Sequence, residues 1–79
     1  MKIYDYNGKK NICGKKIKEA RKQCKMSQYR LAAKLQVEGI IIERDSISRM
    51  ESGLRFVTDY ELKFIAKILG VDVMWLLSE

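Results

Sequence analysis

The segment from Ser27 to Gly53 has the apolar spacing and the end signals of two short helices, and it constrains the fold more than any other part of the chain. Ser27 is a good N-cap for the first helix, and Gly39 is its first strong stop. The second helix should begin near Glu43 or Arg44 and end at Gly53. Helices this short depend on a shared apolar core for stability. Five residues form the predicted shared face: Leu31, Ala32, Leu35, Ile47 and Met50.

Helical spacing continues on both sides of this pair. The segment Ile12–Lys25 repeats apolar residues at helical intervals with lysines between them, and Asn11 is placed to cap it. The Thr58–Glu61 segment matches the capping-box pattern of a fourth helix, which Gly70 should end. A last short helix is predicted over residues 73–77.

These elements predict an all-α fold, a compact five-helix domain over residues 12–79 that follows an N-terminal arm over residues 1–11. The chain has 79 residues and no proline, enough for one domain. No apolar run approaches the ~20 residues that span a bilayer. The N-terminus also lacks the apolar stretch and cleavage site of a secretory signal. We therefore expect a cytoplasmic protein with no membrane partner.

The positive charge lies at one end of the sequence. Residues 1–27 hold nine Lys or Arg against two acids, which gives +7, whereas residues 28–79 hold seven against eight, which gives −1. A basic surface beside a nearly neutral body favours a polyanionic partner, and nucleic acid is the leading one. The alternatives are a solvated lysine-rich helix face and, less favoured, an acidic membrane surface.

The two cysteines and the lack of histidine argue against catalysis and metal binding. Cys13 and Cys24 lie eleven residues apart on one predicted helix, a rise of about 16 Å that no disulfide can bridge. Both are expected to be core thiols. No nucleophile has an obvious base beside it, so no enzymatic activity, cofactor or metal is predicted.

Three motifs together carry a family resemblance: Ser27-Gln28 with Leu31-Ala32, then Ile47-Ser48-Arg49-Met50-Glu51-Ser52-Gly53, then Ile65-Ala66-Lys67-Ile68-Leu69-Gly70-Val71. The chain resembles the helix-turn-helix repressors of the lambdoid phage repressor/Cro type, the XRE family. This resemblance implies a lambda-repressor-like DNA-binding fold, with a recognition helix over about residues 44–52.

The resemblance also implies roles for single residues. Gln28 would contact a phosphate and brace the recognition helix, and Arg55 would contact the DNA backbone after that helix. Arg21 and Glu51 would form a buried structural ion pair. The outward positions of the recognition helix, which would meet base edges or phosphates, are Arg44, Asp45, Ser48 and Arg49. For Asp45 two roles stay open, accepting a hydrogen bond from cytosine N4 or helping to cap the helix.

The turn between the two motif helices departs from the family pattern. Gln36 stands where a glycine is expected, and about five extra residues, 38–42, lengthen the turn. Gly39 would then be a displaced C-cap. Because exposed apolar patches tend to mark contacts, at least one of the isoleucines at 40–42 should be buried, in the core or against a second subunit.

The sequence as a whole predicts a sequence-specific double-stranded DNA-binding transcriptional regulator that acts as a repressor. We expect a homodimer formed through the C-terminal helix or the 40–42 segment. The rival reading is a protein-interaction module of the same fold, an antitoxin or an anti-repressor that binds a protein partner. An RNA-binding module ranks lower, because no exposed aromatic platform for stacking bases is predicted.

Overall fold

Five α-helices with short connections form the described part of the chain. The computed structural model describes residues 6–79, so residues 1–5 of the predicted arm lie outside the described residues. The helices are α1 (Gly14–Gln23), α2 (Gln28–Val37), α3 (Arg44–Glu51), α4 (Asp59–Leu69) and α5 (Val73–Leu77). Within residues 6–79 the only β-type pairing is a single bridge between Tyr6 and Lys9. The predicted all-α, five-helix fold is confirmed.

Side-chain caps begin α2 and α4 where the sequence predicts them, whereas α1 begins at Gly14, two residues after its predicted start. Ser27 Oγ accepts from the Arg30 N–H at 3.0 Å at the start of α2. Thr58 and Glu61 form the complete capping box of α4. Asn11 Oδ1 accepts from the Gly14 N–H at 2.8 Å and so satisfies a free donor at the start of α1.

The same pair of backbone bonds ends α1, α2, α3 and α4. In α2 the Ile40 N–H donates to the Leu35 carbonyl and the Gly39 N–H to the Gln36 carbonyl, which is a Schellman motif. The residue at the turn has positive φ in all four helices: Lys25, Gly39, Gly53 and Gly70. Gly39 (φ +89°) therefore does end α2, three residues after Gln36.

α1 is shorter than its apolar pattern predicts, and the prediction that both cysteines are core thiols is wrong for Cys24. The helix ends at Gln23, and the chain turns at Cys24 and Lys25. Cys24 is the C-cap residue of α1 and is exposed, and its thiol donates to the Leu69 carbonyl at the end of α4 at 3.5 Å. Cys13 is in the core, where burial raises the pKa of its thiol.

All five helices contribute to one apolar core. Its fully buried large side chains are Ile17, Leu31, Leu35, Ile47, Met50, Ile65 and Leu76. The lengthened turn contributes as well, since Ile40 and Ile42 are 8% and 3% exposed. The prediction that this segment buries at least one isoleucine is confirmed, and the contact is with the domain's own core.

Candidate nucleic-acid interface

α3 packs on α1 and α2 by one face and leaves its other face open. Ile47 and Met50 point inward and are fully buried. Arg44, Asp45 and Arg49 are exposed, and Ser48 is partly exposed. The helix therefore presents a polar surface while its apolar residues fix its orientation.

A chain of side-chain hydrogen bonds connects α1 to the start of α3. Arg21 Nε donates to Glu51 Oε2 at 2.7 Å, and Arg21 Nη2 donates to Glu51 Oε1 at 3.1 Å. Gln28 Nε2 also donates to Glu51 Oε1, at 3.0 Å, and Gln28 Oε1 accepts from Arg44 Nη1 at 3.2 Å. Arg44 Nη2 then donates to Asp45 Oδ1 at 2.8 Å. Five of the predicted site residues are thus brought into one network.

The inner end of this network is buried and the outer end is open to solvent. The Arg21 and Glu51 side chains are 9% and 3% exposed, whereas those of Arg44 and Asp45 are 54% and 77% exposed. A third bond from Arg21 Nη1 to the Met26 carbonyl, 2.7 Å long, helps to satisfy the buried guanidinium. The rigid part of the network therefore holds an arginine that remains accessible.

Of the two roles considered for Asp45, the structure shows no capping hydrogen bond. The N-cap residue of α3 is Glu43, and no side-chain hydrogen bond caps the helix there. Asp45 lies in the first turn, where a carboxylate interacts favourably with the helix dipole. Its carboxylate accepts from Arg44 Nη2 at 2.8 Å, and both of these side chains are exposed.

Arg49 and Ser48 lie on the open face one turn beyond Arg44 and Asp45. Arg49 makes no side-chain hydrogen bond or ion pair with any residue between 6 and 79. The Ser52 hydroxyl donates to the Ser48 backbone carbonyl at 3.0 Å at the end of α3. Arg49 is thus the exposed arginine of α3 that stays outside the network.

Arg55 lies apart from the network and is bound to the first turn of α4 and to its own loop. Its guanidinium makes two 3.0 Å hydrogen bonds to the Glu61 carboxylate and donates to the Phe56 carbonyl. Burial alone would raise the pKa of Glu61, but hydrogen bonds from Arg55 and from the Thr58 backbone outweigh it and lower the pKa below its usual value. A phosphate that contacts Arg55 would therefore lie beside the Glu61 carboxylate, which already occupies part of the guanidinium.

The C-terminal end of α3 is held by residues 9–11 and by α1. Asn11 Nδ2 donates to the carbonyls of Met50 and Arg55 at 3.0 and 2.8 Å, and the Lys10 N–H donates to the Gly53 carbonyl. A Cβ on Gly14 would overlap the Met50 carbonyl oxygen. From the sequence Asn11 was predicted only as a cap and Gly14 was not predicted to matter, because these contacts join segments about forty residues apart.

Two further side chains border the network without having been predicted as site residues. A shallow cleft of about 190 Å³ lies between α2 and the start of α3, and both Tyr29 and Glu43 line it beside Arg44. Tyr29 is 72% exposed. The sequence could have indicated Tyr29, because this aromatic residue directly follows Gln28 and lies off the predicted inner face of the helix.

No metal site or membrane-spanning element is found in residues 6–79. This part of the chain has no group of three or more His, Cys, Asp or Glu side chains arranged to hold an ion. None of its helices has the length and apolar character needed to cross a bilayer.

Comparison with known proteins agrees with this geometry. The crystal structure of the DNA-binding domain of BldD superposes with a TM-score of 0.72 at 25% sequence identity, covering 92% of this chain and 99% of that chain. A search of curated protein sequences gave no significant match. The helix-turn-helix family profile matches residues 17–76, which is most of the chain. The chain therefore belongs to the XRE-type helix-turn-helix family.

Proposed function

We propose that this protein is a sequence-specific, double-stranded DNA-binding transcriptional regulator that acts as a repressor. Membership of the helix-turn-helix family and the likeness to a DNA-binding domain support DNA binding. The observation that carries the proposal is the hydrogen-bond chain from the buried Arg21–Glu51 pair to the exposed Arg44. A fold with a purely structural α3 would not need to hold an arginine in place at its exposed end.

In this proposal α3 enters the major groove by its N-terminal end. Arginine presents two parallel donors that match the O6 and N7 acceptors of guanine, and this contact is worth about 1–3 kcal/mol of discrimination. Arg44 is held by Gln28 on one side and by Asp45 on the other, so little rotamer freedom is lost when it binds. Arg49 lies further along the same open face and is a second candidate for base contact.

Residues around α3 would neutralise phosphates and fix the register on the duplex. Gln28 is placed at the start of α2, where free backbone N–H groups favour an anion. Arg55 and several lysines of the N-terminal third are further candidates. Lys16 is not among them, because its ammonium lies 4.7 Å from the Trp75 ring centroid and donates to Ser78, which fastens α5 to α1.

A homodimer that reads a two-fold site is part of the proposal. Of the two seams predicted from the sequence, α5 is the better supported, because Met74 and Leu77 are 71% and 37% exposed. Ile40 and Ile42 are committed to the domain's own core, which leaves only Ile41 of that segment for a partner. We assign the protein to the cytoplasm, where such a regulator meets DNA.

Binding to duplex DNA should weaken steeply as salt rises. Residues 6–27 hold eight Lys or Arg against one acid, a charge of +7 in the described part of the chain, and log K falls by ~0.9 per phosphate contact for each tenfold rise in salt. Titration of a fluorescent duplex between low and moderate ionic strength measures the slope. A salt-independent Kd would contradict the proposal.

Arg49→Ala should relax the sequence preference. Sequences are first selected from random duplex DNA with the wild-type protein. The variant is expected to lose about 1–3 kcal/mol more on the selected duplex than on unselected DNA, because a base contact is lost in addition to a charge. Lys63→Ala removes the same charge from an exposed position on α4 and is the matched control. Equal losses on both duplexes would make Arg49 a phosphate contact.

A protein-interaction module, the second candidate, is favoured by one observation. Val37 and Ile41 are 87% and 97% exposed at the lengthened turn, and exposed apolar patches tend to mark contacts. The selection from random duplex DNA separates the two functions, since such a module should enrich no sequence.

A further inference from the structure

The inserted segment before α3 presents one isoleucine to solvent. Ile41 is 97% exposed, although Ile40 and Ile42 on either side are buried. Burial alternates along residues 40–43, as it does along an extended chain whose side chains point to opposite sides. Glu43 is extended as well (φ −117°, ψ 166°) and is exposed, so Ile41 and Glu43 share the outward side.

This exposed isoleucine belongs to a segment that is fixed at both ends. The Ile40 N–H donates to the Leu35 carbonyl at 2.9 Å, and Gln36 Nε2 donates to the Ile42 carbonyl at 2.7 Å. The buried neighbours anchor the segment in the core. The backbone at Ile41 is therefore held in a defined place, as the backbone of a recognition residue must be.

Its place is next to the end of α3 that enters the major groove in the proposed function. Ile41 is three residues before Arg44, and an extended chain advances about 3.3 Å per residue, so the two Cα atoms are at most about 10 Å apart. The major groove is about 12 Å wide. If α3 enters by its N-terminal end, Ile41 arrives at the same groove or at its edge.

We propose that Ile41 contacts the C5-methyl group of a thymine beside the base pairs that Arg44 reads. The inference rests on the proposed function. An aliphatic side chain cannot bind a phosphate or a polar base edge, and the thymine methyl is the apolar group that the major groove offers. The inserted turn would thereby extend the recognised sequence beyond the reach of α3.

Replacement of thymine by uracil tests this contact, because uracil pairs identically and lacks only the methyl group. The wild-type protein first selects a duplex from random DNA, and each thymine of that duplex is then replaced in turn. Dissociation constants are measured for the wild type, for Ile41→Ala and for Val37→Ala. Val37 is the matched control, being an equally apolar and exposed residue at the end of α2.

We expect the wild type to lose about fourfold in affinity at one or two thymines, the factor for one buried methylene-sized group. Ile41→Ala should bind the unmodified duplex about fourfold more weakly than the wild type does. Uracil at those positions should not weaken its binding further. Val37→Ala should respond as the wild type does. Melting curves should agree for all three proteins, since both positions are exposed.

Two results would overturn the inference. One is that uracil weakens the binding of Ile41→Ala at the same positions and by the same factor as it weakens the binding of the wild type. The other is an Ile41→Ala variant whose mass in solution changes while its response to uracil does not, because Ile41 would then form a protein–protein contact. If the wild type selects no duplex at all, it is the proposed function that fails.

Discussion

Glu51→Ala is expected to lower the free energy of unfolding by about 3–5 kcal/mol, the cost of breaking a buried ion pair from one side. The Glu51 carboxylate accepts two bonds from Arg21 and one from Gln28, and its side chain is 3% exposed. Its removal leaves the Arg21 guanidinium in a desolvated site with only the Met26 carbonyl as partner. For a domain of this size the loss takes most of the stability. Urea or thermal unfolding measures it.

Asp45→Ala is the control for this prediction. It breaks the Arg44–Asp45 pair, whose side chains are 54% and 77% exposed, and exposed pairs contribute about 0–1 kcal/mol. The melting midpoint should therefore change little. An unchanged midpoint for Glu51→Ala would instead show that the Arg21–Glu51 pair does not stabilise the fold.

A double replacement separates the stability of the pair from its role in the network. Arg21→Met combined with Glu51→Leu removes both charges, and well-packed apolar substitutes for a buried pair are often neutral. We expect this double variant to recover most of the free energy of unfolding that Glu51→Ala loses. DNA affinity should not return with it, because Gln28 has lost the acceptor that positions it beside Arg44.

Gly14→Val is expected to destabilise the protein by about 3 kcal/mol, at the upper end of the usual cost of overpacking. The added Cβ would overlap the Met50 carbonyl and lie 3.0 Å from that of Glu51. These are backbone atoms at the end of α3, so relief requires α1 and α3 to move apart. Because α3 is the proposed recognition helix, DNA affinity should fall more than the loss of folded protein explains.

Lys15→Val is the matched control for Gly14→Val, since it places the same side chain on the neighbouring exposed position of α1. Its midpoint should stay close to that of the wild type. Equal stability of the two variants would show that α1 does not approach α3 as closely as the contact at Gly14 requires.

The boundaries of α2, α3, α4 and α5 were predictable because each depends on bonds between residues close in sequence. A capping side chain reaches a backbone N–H two or three residues later, as Ser27, Thr58 and Asp72 do. A glycine that ends a helix adopts its positive φ in a turn that closes within five residues, as Gly39 does. Helical periodicity then indicated which face of each helix is buried.

The sequence also provided most of the candidate site, but for a different reason. Gln28, Arg44 and the Arg21–Glu51 pair were identified through the family resemblance. Periodicity alone does not distinguish a buried arginine from an exposed one. Their bonds join helices 16 to 30 residues apart, so only the crossing of α1, α2 and α3 brings them into hydrogen-bonding distance.

The tertiary structure decided which polar and apolar side chains were free to act. It paired Arg55 with Glu61, placed the thiol of the exposed Cys24 on the Leu69 carbonyl, and left Ile41 exposed between two buried isoleucines. It also brought Asn11 and Gly14 against the end of α3. Local sequence determines helix ends because caps and turns close within a few residues. It does not determine these contacts, because they depend on how whole helices cross.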